Sequence, residues 1–381
     1  MPWENRTVKE QREGFAEAAQ HSGNFSALCR AYGITRKTGY KWVKRYEKGE
    51  ILTDRSREPH SIPHKTPPEI EAEILRVRAE NPGWGAKTIK QVLENEGVTG
   101  LPSARTVNTV LNRNGCIEEE ESLKRKAFQR FEKDACNEMW QTDFKGEFKT
   151  RDGKYCYPLD ILDDHSRFAI RIAAADRTAG VVIPCFEAAF MEYGLPRAVL
   201  SDNGAQFAGF RHGYTKFEKW LMCLDVLPIH GRVKHPQTQG KIERFHRTMK
   251  NELLKYHEFE DSSHAHDAFQ EWREKYNFQR PHEALGMRRP GDVYVPSDRR
   301  YPKQIRKWEY DGRFHVIKVN SWGFVRFDRF QVYLSETMID EHVEFRPNPD
   351  GDSFAVCFRN FKIAEYSTED GKLINRSISR L

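Results

Sequence analysis

The fold is decided by residues 137–174, which read NEMWQTDFKGEFKTRDGKYCYPLDILDDHSRFAIRIAA. Turns with Asp-Gly and Asp-His-Ser sequences separate three runs that are rich in apolar and β-branched side chains. Such runs between turn residues are typical of strands joined as hairpins. We therefore expect three consecutive antiparallel strands, with Asp143 near the middle of the first. They are placed at Glu138–Phe148, Tyr155–Asp163 and Phe168–Ala174.

The sequence downstream alternates between helical and strand patterns. Apolar residues at helical spacing predict helices over 178–193, about 215–223 and 241–255. Short buried strands are expected at Ala198–Ser201 and Val226–Ile229. Three antiparallel strands followed by alternating helices and strands predict a mixed α/β layer fold.

Three acidic residues occupy positions that suit one shared site. Asp143 lies on the first strand, Asp202 begins an Asp-Asn-Gly turn after a short strand, and Glu243 stands near the start of a helix. Taken singly, each has an ordinary explanation as a surface strand residue, a turn residue and a helix-terminal carboxylate. Ligand sites of α/β sheets lie at the carboxyl ends of strands, so the three together favour convergence above one sheet.

Convergent carboxylates are the ligands that hard divalent cations prefer. Two such ions bridged by acidic side chains often run an in-line phosphate displacement. Arg247 and Lys250 follow Glu243 at i+4 and i+7 and therefore share its helix face. A metal site ringed by cations suits a polyanionic backbone. The DNA contacts predicted around this helix are Lys234, Lys241, Arg244, Arg247 and Lys250.

Residues 6–48 show the pattern of a helix-turn-helix unit. Apolar residues recur at helical spacing, Gly33 ends one helix, and Thr35 caps a second helix that is both basic and aromatic. In this motif the second helix enters the major groove of DNA. The alternative is a solvated basic helix in an ordinary bundle. The DNA-facing residues predicted on the second helix are Arg36, Lys37, Lys41, Lys44 and Arg45.

Residues 52–65 predict an extended basic linker, since they combine prolines with cations. Arg55 and Arg57 would neutralise phosphates along a groove. His60 and His64 have a spacing that some zinc sites use, but no cysteine pair accompanies them, so we do not expect zinc there.

A second helix-turn-helix unit is predicted over 66–116. Thr66–Glu69 fits a capping box, and three helical patterns follow. The third helix carries Arg105, Asn108 and Arg113 on its polar side, where DNA contacts are expected. Four consecutive glutamates and the run Lys124-Arg125-Lys126 then predict a charged linker over 117–136.

The last part of the chain is rich in short strand patterns. Six strand candidates follow one another at close spacing between Phe314 and Tyr366, which suggests a small β-barrel of the SH3-like kind. The expected domains and linkers are 1–51, 52–65, 66–116, 117–136, 137–297 and 298–381.

Bulk composition limits the class of protein. The chain has 381 residues, with 38% hydrophobic and 31% charged, and a net charge of +6. This length predicts about two to four domains. No apolar run approaches the roughly 20 residues that cross a bilayer, and no secretory signal is visible at the start. Seven scattered cysteines without a Cys-x-x-Cys pair predict reduced thiols in a cytosolic protein.

Three segments carry a family resemblance, and a fourth supports it. They resemble the signatures of DDE transposases with a retroviral-integrase core, and bacterial insertion-sequence transposases most of all. The resemblance is strong over 137–297 and looser over the flanking units. The segments are Trp140-Gln141-Thr142-Asp143, Leu200-Ser201-Asp202-Asn203-Gly204, His235-Pro236-Gln237-Thr238-Gln239-Gly240-Lys241-Ile242-Glu243-Arg244, and Asn277–Gly286, which is similar to the stretch that closes the core.

The resemblance implies a multidomain protein with a ribonuclease H-like core. Asp143, Asp202 and Glu243 would hold two Mg²⁺ or Mn²⁺ ions there. It implies a DNA transposase that binds the inverted repeats of its element, cleaves at the ends and joins the 3′-hydroxyls to target DNA. The expected partners are double-stranded DNA and further copies of the chain, as a homodimer or higher oligomer on DNA, with no membrane. The implied location is the bacterial cytoplasm, at the nucleoid.

Two departures from the family pattern stand out. The stretch between Asp202 and Glu243 is longer than in compact members, and the excess is assigned to 210–219. The His-His-Cys-Cys zinc module of retroviral integrases is missing, so end recognition is expected from the helix-turn-helix units. Two other functions stay open: a DNA-binding regulator that has lost catalysis, and a structure-selective nuclease with the same core.

Overall fold

The computed structural model divides the chain into two compact units, Met1–Lys65 and Thr66–Leu381. Each unit is described by itself. The structure describes residues 7–54, 66–117, 132–175, 179–209, 213–231, 240–349 and 351–381. Most of the predicted basic linker and most of the predicted charged linker lie outside the described residues.

The first unit is a small helical bundle. Its helices are α1 (Val8–His21), α2 (Phe25–Ala31) and α3 (Arg36–Glu47). Thr35 caps α3 through a hydrogen bond from the Thr38 backbone N–H, as its position before the basic helix predicted. Trp42 lies in the core of this bundle, so α3 turns its basic residues outward.

Three further helices open the second unit. They are α4 (Pro68–Glu80), α5 (Ala86–Asn95) and α6 (Ala104–Arg113), and they share one apolar core. The capping box predicted at Thr66–Glu69 is wrong. Pro67 is the residue before α4, and since proline has no side-chain acceptor the first turn has no such cap. The bundle contacts the rest of its unit, because Lys87 on α5 forms an ion pair with Glu283.

A mixed sheet forms the centre of the second unit. Its strands are β1 (Trp140–Phe144), β2 (Phe148–Lys149), β3 (Tyr155–Asp163), β4 (Ala169–Ala175), β5 (Ala198–Ser201) and β6 (Leu227–His230). β3 pairs antiparallel with β1, β2 and β4, whereas β5 is parallel to both β1 and β6. The single strand predicted at Glu138–Phe148 is therefore two strands, because residues 145–147 leave the regular ladder.

Helices cover both faces of this sheet. They are α7 (Val182–Tyr193), α8 (Lys216–Cys223), α9 (Gly240–Met249) and α10 (Ser262–Phe278), and α9 continues as a π-helical turn over Lys250–Leu254. Alternate strand residues point to opposite faces. Ile161 accordingly packs in the core with α7 and α8, and Leu162 in the core with α9 and α10. The expected mixed α/β core is confirmed.

The second unit ends in a module of antiparallel strands, which we call the terminal module (residues 315–380). Its strands are β7 (His315–Lys318), β8 (Phe324–Phe327), β9 (Phe330–Tyr333), β10 (His342–Pro347), β11 (Ser353–Phe358), β12 (Phe361–Ser367), β13 (Lys372–Asn375) and β14 (Ser379–Arg380). One sheet runs β13-β12-β11-β10-β7 with β14 beside β12, and β8 and β9 form a separate hairpin. Among the described strands no pairing joins β13 to β7, so the SH3-like barrel is not confirmed.

None of the described helices combines the length and the apolar character that crossing a membrane requires.

Candidate active site

Two of the three predicted acids lie at one edge of the mixed sheet. Asp143 is the fourth residue of β1, and Asp202 directly follows β5. β1 and β5 are parallel neighbours, with Trp140 opposite Val199, so their carboxyl ends meet at the same edge. The carboxylates of Asp143 and Asp202 lie close enough to interact electrostatically. Asp143 stands near the end of its strand, because the predicted longer strand breaks after Phe144.

The turn that carries Asp202 is held by its own hydrogen bonds. The Gly204 backbone N–H donates to Asp202 Oδ1 at 2.9 Å, and Asn203 Nδ2 donates to the Gly231 carbonyl at 2.8 Å. A side chain at position 204 would bring its Cβ to 3.0 Å from Asp202 Oδ1. The Asp-Asn-Gly sequence thus leaves the second carboxylate oxygen, Oδ2, outside this turn bond.

The electrostatic surroundings raise the pKa of Asp143 to about 6. Burial is the main cause, the neighbouring carboxylates of Asp202 and Asp160 add to it, and His246 acts in the opposite direction. Like charges in one site disfavour the ionised form. A bound cation would favour the ionised form of Asp143 and would reduce the repulsion between the carboxylates at this edge of the sheet.

Asp160 and His246 are site residues that sequence reasoning missed. Asp160 lies directly opposite Asp143 on β3 and is fully buried. His246 Nε2 is 2.9 Å from Asp160 Oδ2, and His246 Nδ1 is 3.9 Å from Asp143 Oδ2. The closer pair is not aligned as a hydrogen bond, and within the described part of the chain both Asp160 oxygens lack one. The two side chains are therefore in close contact without a hydrogen bond between them. A charged residue inside the apolar run 155–163 was the available signal.

Glu243 is exposed on the first turn of α9. It precedes His246 by three residues, and side chains with that spacing share a helix face. The third predicted acid therefore stands on the same face as the imidazole that lies beside Asp143. Among the described residues, however, no three His, Cys, Asp or Glu side chains converge closely enough to hold a metal ion.

The chemistry of the two aspartates fits a divalent cation. Hard cations bind carboxylate oxygens, and binding requires the ionised form that crowding at Asp143 opposes. Asp143 and Asp202 are the residues that would hold such an ion, with Glu243 as the further candidate.

The cations predicted around α9 fall into two groups. Arg244, Arg247 and Lys250 are exposed. Lys241 Nζ instead lies 2.5 Å from Oδ2 of the buried Asp164, whose Oδ1 accepts a hydrogen bond from Gln141 at 2.7 Å. This pairing fixes the first turn of α9 to the end of β3. Lys234 lies outside the described residues.

Lys145 is another cation that sequence reasoning overlooked. Burial lowers its pKa, and the nearby charge of Lys250 lowers it further, while Asp160 acts in the opposite direction. Lys145 therefore lies within electrostatic reach of both the buried acid and α9. Its position two residues after Asp143 was the signal.

The helix-turn-helix residues are also divided by their contacts. On α3, Arg36, Lys37, Lys41 and Lys44 are exposed. Arg45 is engaged within its own unit, donating to the Thr53 carbonyl at 2.9 Å and to Glu50 at 3.0 Å. On α6, Arg105 and Asn108 are exposed, whereas Arg113 forms an ion pair with Glu71 on α4. Arg55 and Arg57 lie outside the described residues.

Family models match both the core and the amino-terminal helices. Residues 133–236 and 224–290 each match an integrase core domain. Residues 11–60 match a helix-turn-helix domain, and residues 38–111 match a homeodomain-like domain.

Curated relatives show the same likeness. A protein of insertion element IS407 from Burkholderia multivorans is 25% identical over 274 residues, which cover 69% of this chain and 88% of the relative. The transposase of insertion sequence element IS904 from Lactococcus lactis is 25% identical over 257 residues, 61% of this chain and 97% of the relative. The HTLV-2 integrase catalytic core is 17% identical with a TM-score of 0.33, covering 42% of this chain and 97% of that one.

The matched models and the named relatives agree with the motifs that flank Asp143 and Asp202. The chain carries an integrase core preceded by helix-turn-helix elements, and it is similar to insertion-sequence transposases. The resemblance inferred from the sequence is confirmed.

Proposed function

We propose that this chain is a DNA transposase that binds the inverted-repeat ends of its mobile element. It cleaves at those ends and joins the 3′-hydroxyls to target DNA by metal-dependent phosphoryl transfer. The observation that supports this most is the pair of carboxylates at one sheet edge, Asp143 and Asp202, in an integrase-like core.

The acids of the site are proposed to act as a set. Asp143 and Asp202 would hold the divalent cations, with Glu243 on α9 as the further ligand. Two Mg²⁺ or Mn²⁺ ions, when bound, supply charge stabilisation at the attacking and leaving oxygens and lower the pKa of an attacking water. Asp160 and His246 are proposed to support this set, because Asp160 lies opposite Asp143 on β3 and His246 lies beside both carboxylates.

The cations near the site are proposed to hold the DNA backbone. Arg247 and Lys250 follow Glu243 at i+4 and i+7, so a phosphate chain bound along α9 passes the acids. Exposed arginine and lysine side chains neutralise phosphates and fix the register of the duplex without reading its sequence. Lys145 adds positive charge from the sheet side.

Reading of the element's ends is assigned to the two helix-turn-helix units. α3 presents Arg36, Lys37, Lys41 and Lys44, and α6 presents Arg105 and Asn108. In the major groove, arginine forms bidentate hydrogen bonds with guanine, and asparagine forms them with adenine. The proposal is that each unit contacts a separate part of one inverted repeat.

Carboxylate substitutions test the catalytic proposal. We expect Asp143→Asn, Asp202→Asn and Glu243→Gln each to lower end cleavage by more than about 1,000-fold, since each removes one metal ligand. The measurement is cleavage of a labelled duplex carrying the element's end, in Mg²⁺ and in Mn²⁺. Binding to the same duplex should stay within about threefold of the unsubstituted chain, because the reading helices are unchanged.

Asp267→Asn is the matched control, since Asp267 is an exposed carboxylate on the neighbouring α10. We expect this variant to cleave like the unsubstituted chain. Persistent cleavage in any of the three variants would remove that residue from the site. If the unsubstituted chain binds ends but never cleaves, the regulator alternative is correct. If it cleaves branched or flapped DNA regardless of sequence, the nuclease alternative is correct.

A further inference from the structure

The segment that follows Asp202 ends inside the terminal module. Tyr214 is buried in the apolar core of that module, next to residues such as Val343 and Phe345. Its hydroxyl donates to the Ile363 carbonyl on β12 at 2.6 Å. This is the segment that the sequence marked as an unexplained excess, although residues 210–212 lie outside the described part of the chain.

Hydrogen bonds to the backbone of Tyr214 also hold it in the terminal module. The Tyr214 N–H donates to Ser335 Oγ at 3.0 Å, and the Tyr214 carbonyl accepts from Ser335 Oγ at 3.1 Å and from Thr337 Oγ1 at 2.7 Å. Gly213 allows this approach, since its φ is +100° and an added Cβ would lie 2.4 Å from Ser335 Cβ. Tyr214 is therefore held by both its side chain and its backbone.

One buried carboxylate joins this anchor to the core. Glu218 on α8 is 3% exposed. Its Oε2 accepts hydrogen bonds from the Thr215 N–H at 2.6 Å, from Thr215 Oγ1 at 2.9 Å and from the Gly209 N–H at 3.1 Å. Both described ends of the segment, on either side of residues 210–212, are thus tied to the same oxygen.

The other carboxylate oxygen of Glu218 is connected to Asp202 through two further side chains. Glu218 Oε1 lies 2.9 Å from His230 Nε2, and His230 Nδ1 lies 3.1 Å from Ser201 Oγ. Ser201 directly precedes Asp202, and its Oγ lies 3.1 Å from the Asp202 carbonyl. A Ser-His-Glu connection also occurs in nucleophilic enzymes, but Ser201 is only 2% exposed, so its hydroxyl serves structure here.

We propose that the terminal module positions Asp202 for metal binding through Tyr214, Glu218, His230 and Ser201. The inference rests on the proposed function, because it assigns Asp202 a metal ligand's role. Catalytic geometry must be held within about 0.5 Å by supporting contacts. The backbone around Asp202 is a turn at the end of a four-residue strand, so these contacts supply rigidity that the strand does not.

Metal binding by the full chain tests the positioning role. We expect Glu218→Gln, and separately the double variant Tyr214→Phe with Ser335→Ala, to weaken Mn²⁺ binding about tenfold, as loss of supporting contacts commonly does. The measurement is isothermal titration with Mn²⁺ in the absence of DNA. The Mn²⁺ concentration for half-maximal end cleavage should rise by the same factor, while the rate at saturating Mn²⁺ stays within about threefold.

Two control variants lie in the same module and away from the chain of contacts. Tyr366→Phe removes a buried hydroxyl that has no hydrogen-bond partner among the described residues, and Ser353→Ala removes one that bonds Glu365. Both should bind Mn²⁺ like the unsubstituted chain. A destabilised module alone would lower the melting temperature and the saturated rate together, without a matched change in Mn²⁺ affinity.

Asp202→Asn separates the two levels of the proposal. If Asp202→Asn loses Mn²⁺ binding while Glu218→Gln and the double variant retain it fully, the positioning role is wrong and the metal site stands. If Asp202→Asn itself binds Mn²⁺ normally, the proposed function fails at this residue. If either positioning variant does not fold, the other decides, since they act on opposite sides of Thr215.

Discussion

At the scale of single residues, the candidate site brings carboxylates together in a way that lowers the stability of the folded state. Burial and the neighbouring carboxylates of Asp202 and Asp160 raise the pKa of Asp143, while His246 acts in the opposite direction. Residues that bind a ligand commonly lower the stability of the ligand-free protein. In the proposed function, the cost of this repulsion would be offset by a bound cation.

This arrangement predicts a pH-dependent penalty in the metal-free chain. Folding raises the pKa of Asp143 from 3.8 to about 6, so the folded state holds this proton more tightly than the unfolded state. The stability from that proton is complete below about pH 4 and is lost as the pH rises through 6. Asp143→Asn leaves residue 143 uncharged at every pH, so it should raise the free energy of unfolding at pH 8 by at most about 3 kcal/mol.

Urea denaturation in EDTA, at pH 4 and pH 8, measures the difference between the Asp143→Asn and unsubstituted chains. The gain should be present at pH 8 and nearly absent at pH 4. Asp267→Asn is the control and should show no gain at either pH. Equal stability of Asp143→Asn and the unsubstituted chain at pH 8 would mean that the repulsion at this edge is already relieved.

At the scale of secondary-structure elements, the sequence pattern predicted those strands whose formation depends on neighbouring residues. β3 spans Tyr155–Asp163 as expected, and β5 spans Ala198–Ser201 as expected, because each is a short apolar run bounded by turn residues. α10 was overlooked although Ala265, Phe269, Trp272 and Tyr276 recur at helical spacing. That signal was present in the sequence.

Other features depend on pairing between distant parts of the chain. Closure of a barrel requires a particular strand to meet another far along the sequence, and the pattern of either strand does not specify this. The Asp160–His246 contact and the burial of Tyr214 in the terminal module are likewise long-range. The sequence therefore pointed to Asp143, Asp202 and Glu243 as candidate site residues, but not to Asp160, His246 or the position of Tyr214.

The α3 helix offers a prediction that separates DNA contact from fold stability. Lys37 and Lys41 are exposed, whereas Arg45 is bonded to Glu50 and to the backbone at Thr53. Lys37→Ala with Lys41→Ala should weaken binding to end DNA and lower the dependence of log affinity on log salt by about 1 per lost phosphate contact. The melting temperature should stay within about 2 °C.

Arg45→Ala should show the opposite pattern, with a lower melting temperature of the first unit and a salt dependence close to that of the unsubstituted chain. Fluorescence anisotropy over a range of salt concentrations gives the slope, and circular dichroism gives the melting temperature. An unchanged slope in the lysine double variant would show that α3 does not lie against the DNA backbone.

At the scale of the whole molecule, the proposed function has to process two DNA ends, whereas each chain would supply one set of the three acids. One active site per end therefore requires at least two chains, and symmetric dimers are the commonest way to provide them. The first unit, with α3, and the second unit, with the acids, are separate compact bodies. We infer that the chain reading one end cuts the other end.

Mixing two defective chains tests this crossed arrangement. A chain with Asp143→Asn reads DNA but cannot cut, and a chain with Lys37→Ala and Lys41→Ala can cut but reads poorly. A mixed dimer then holds one good reader and one good active site on different chains, so crossing predicts cleavage of a single labelled end without joining of both. Mixing Asp143→Asn with Asp202→Asn chains is the control and should give none. If the first mixture also stays inactive, each chain cuts the end that it reads.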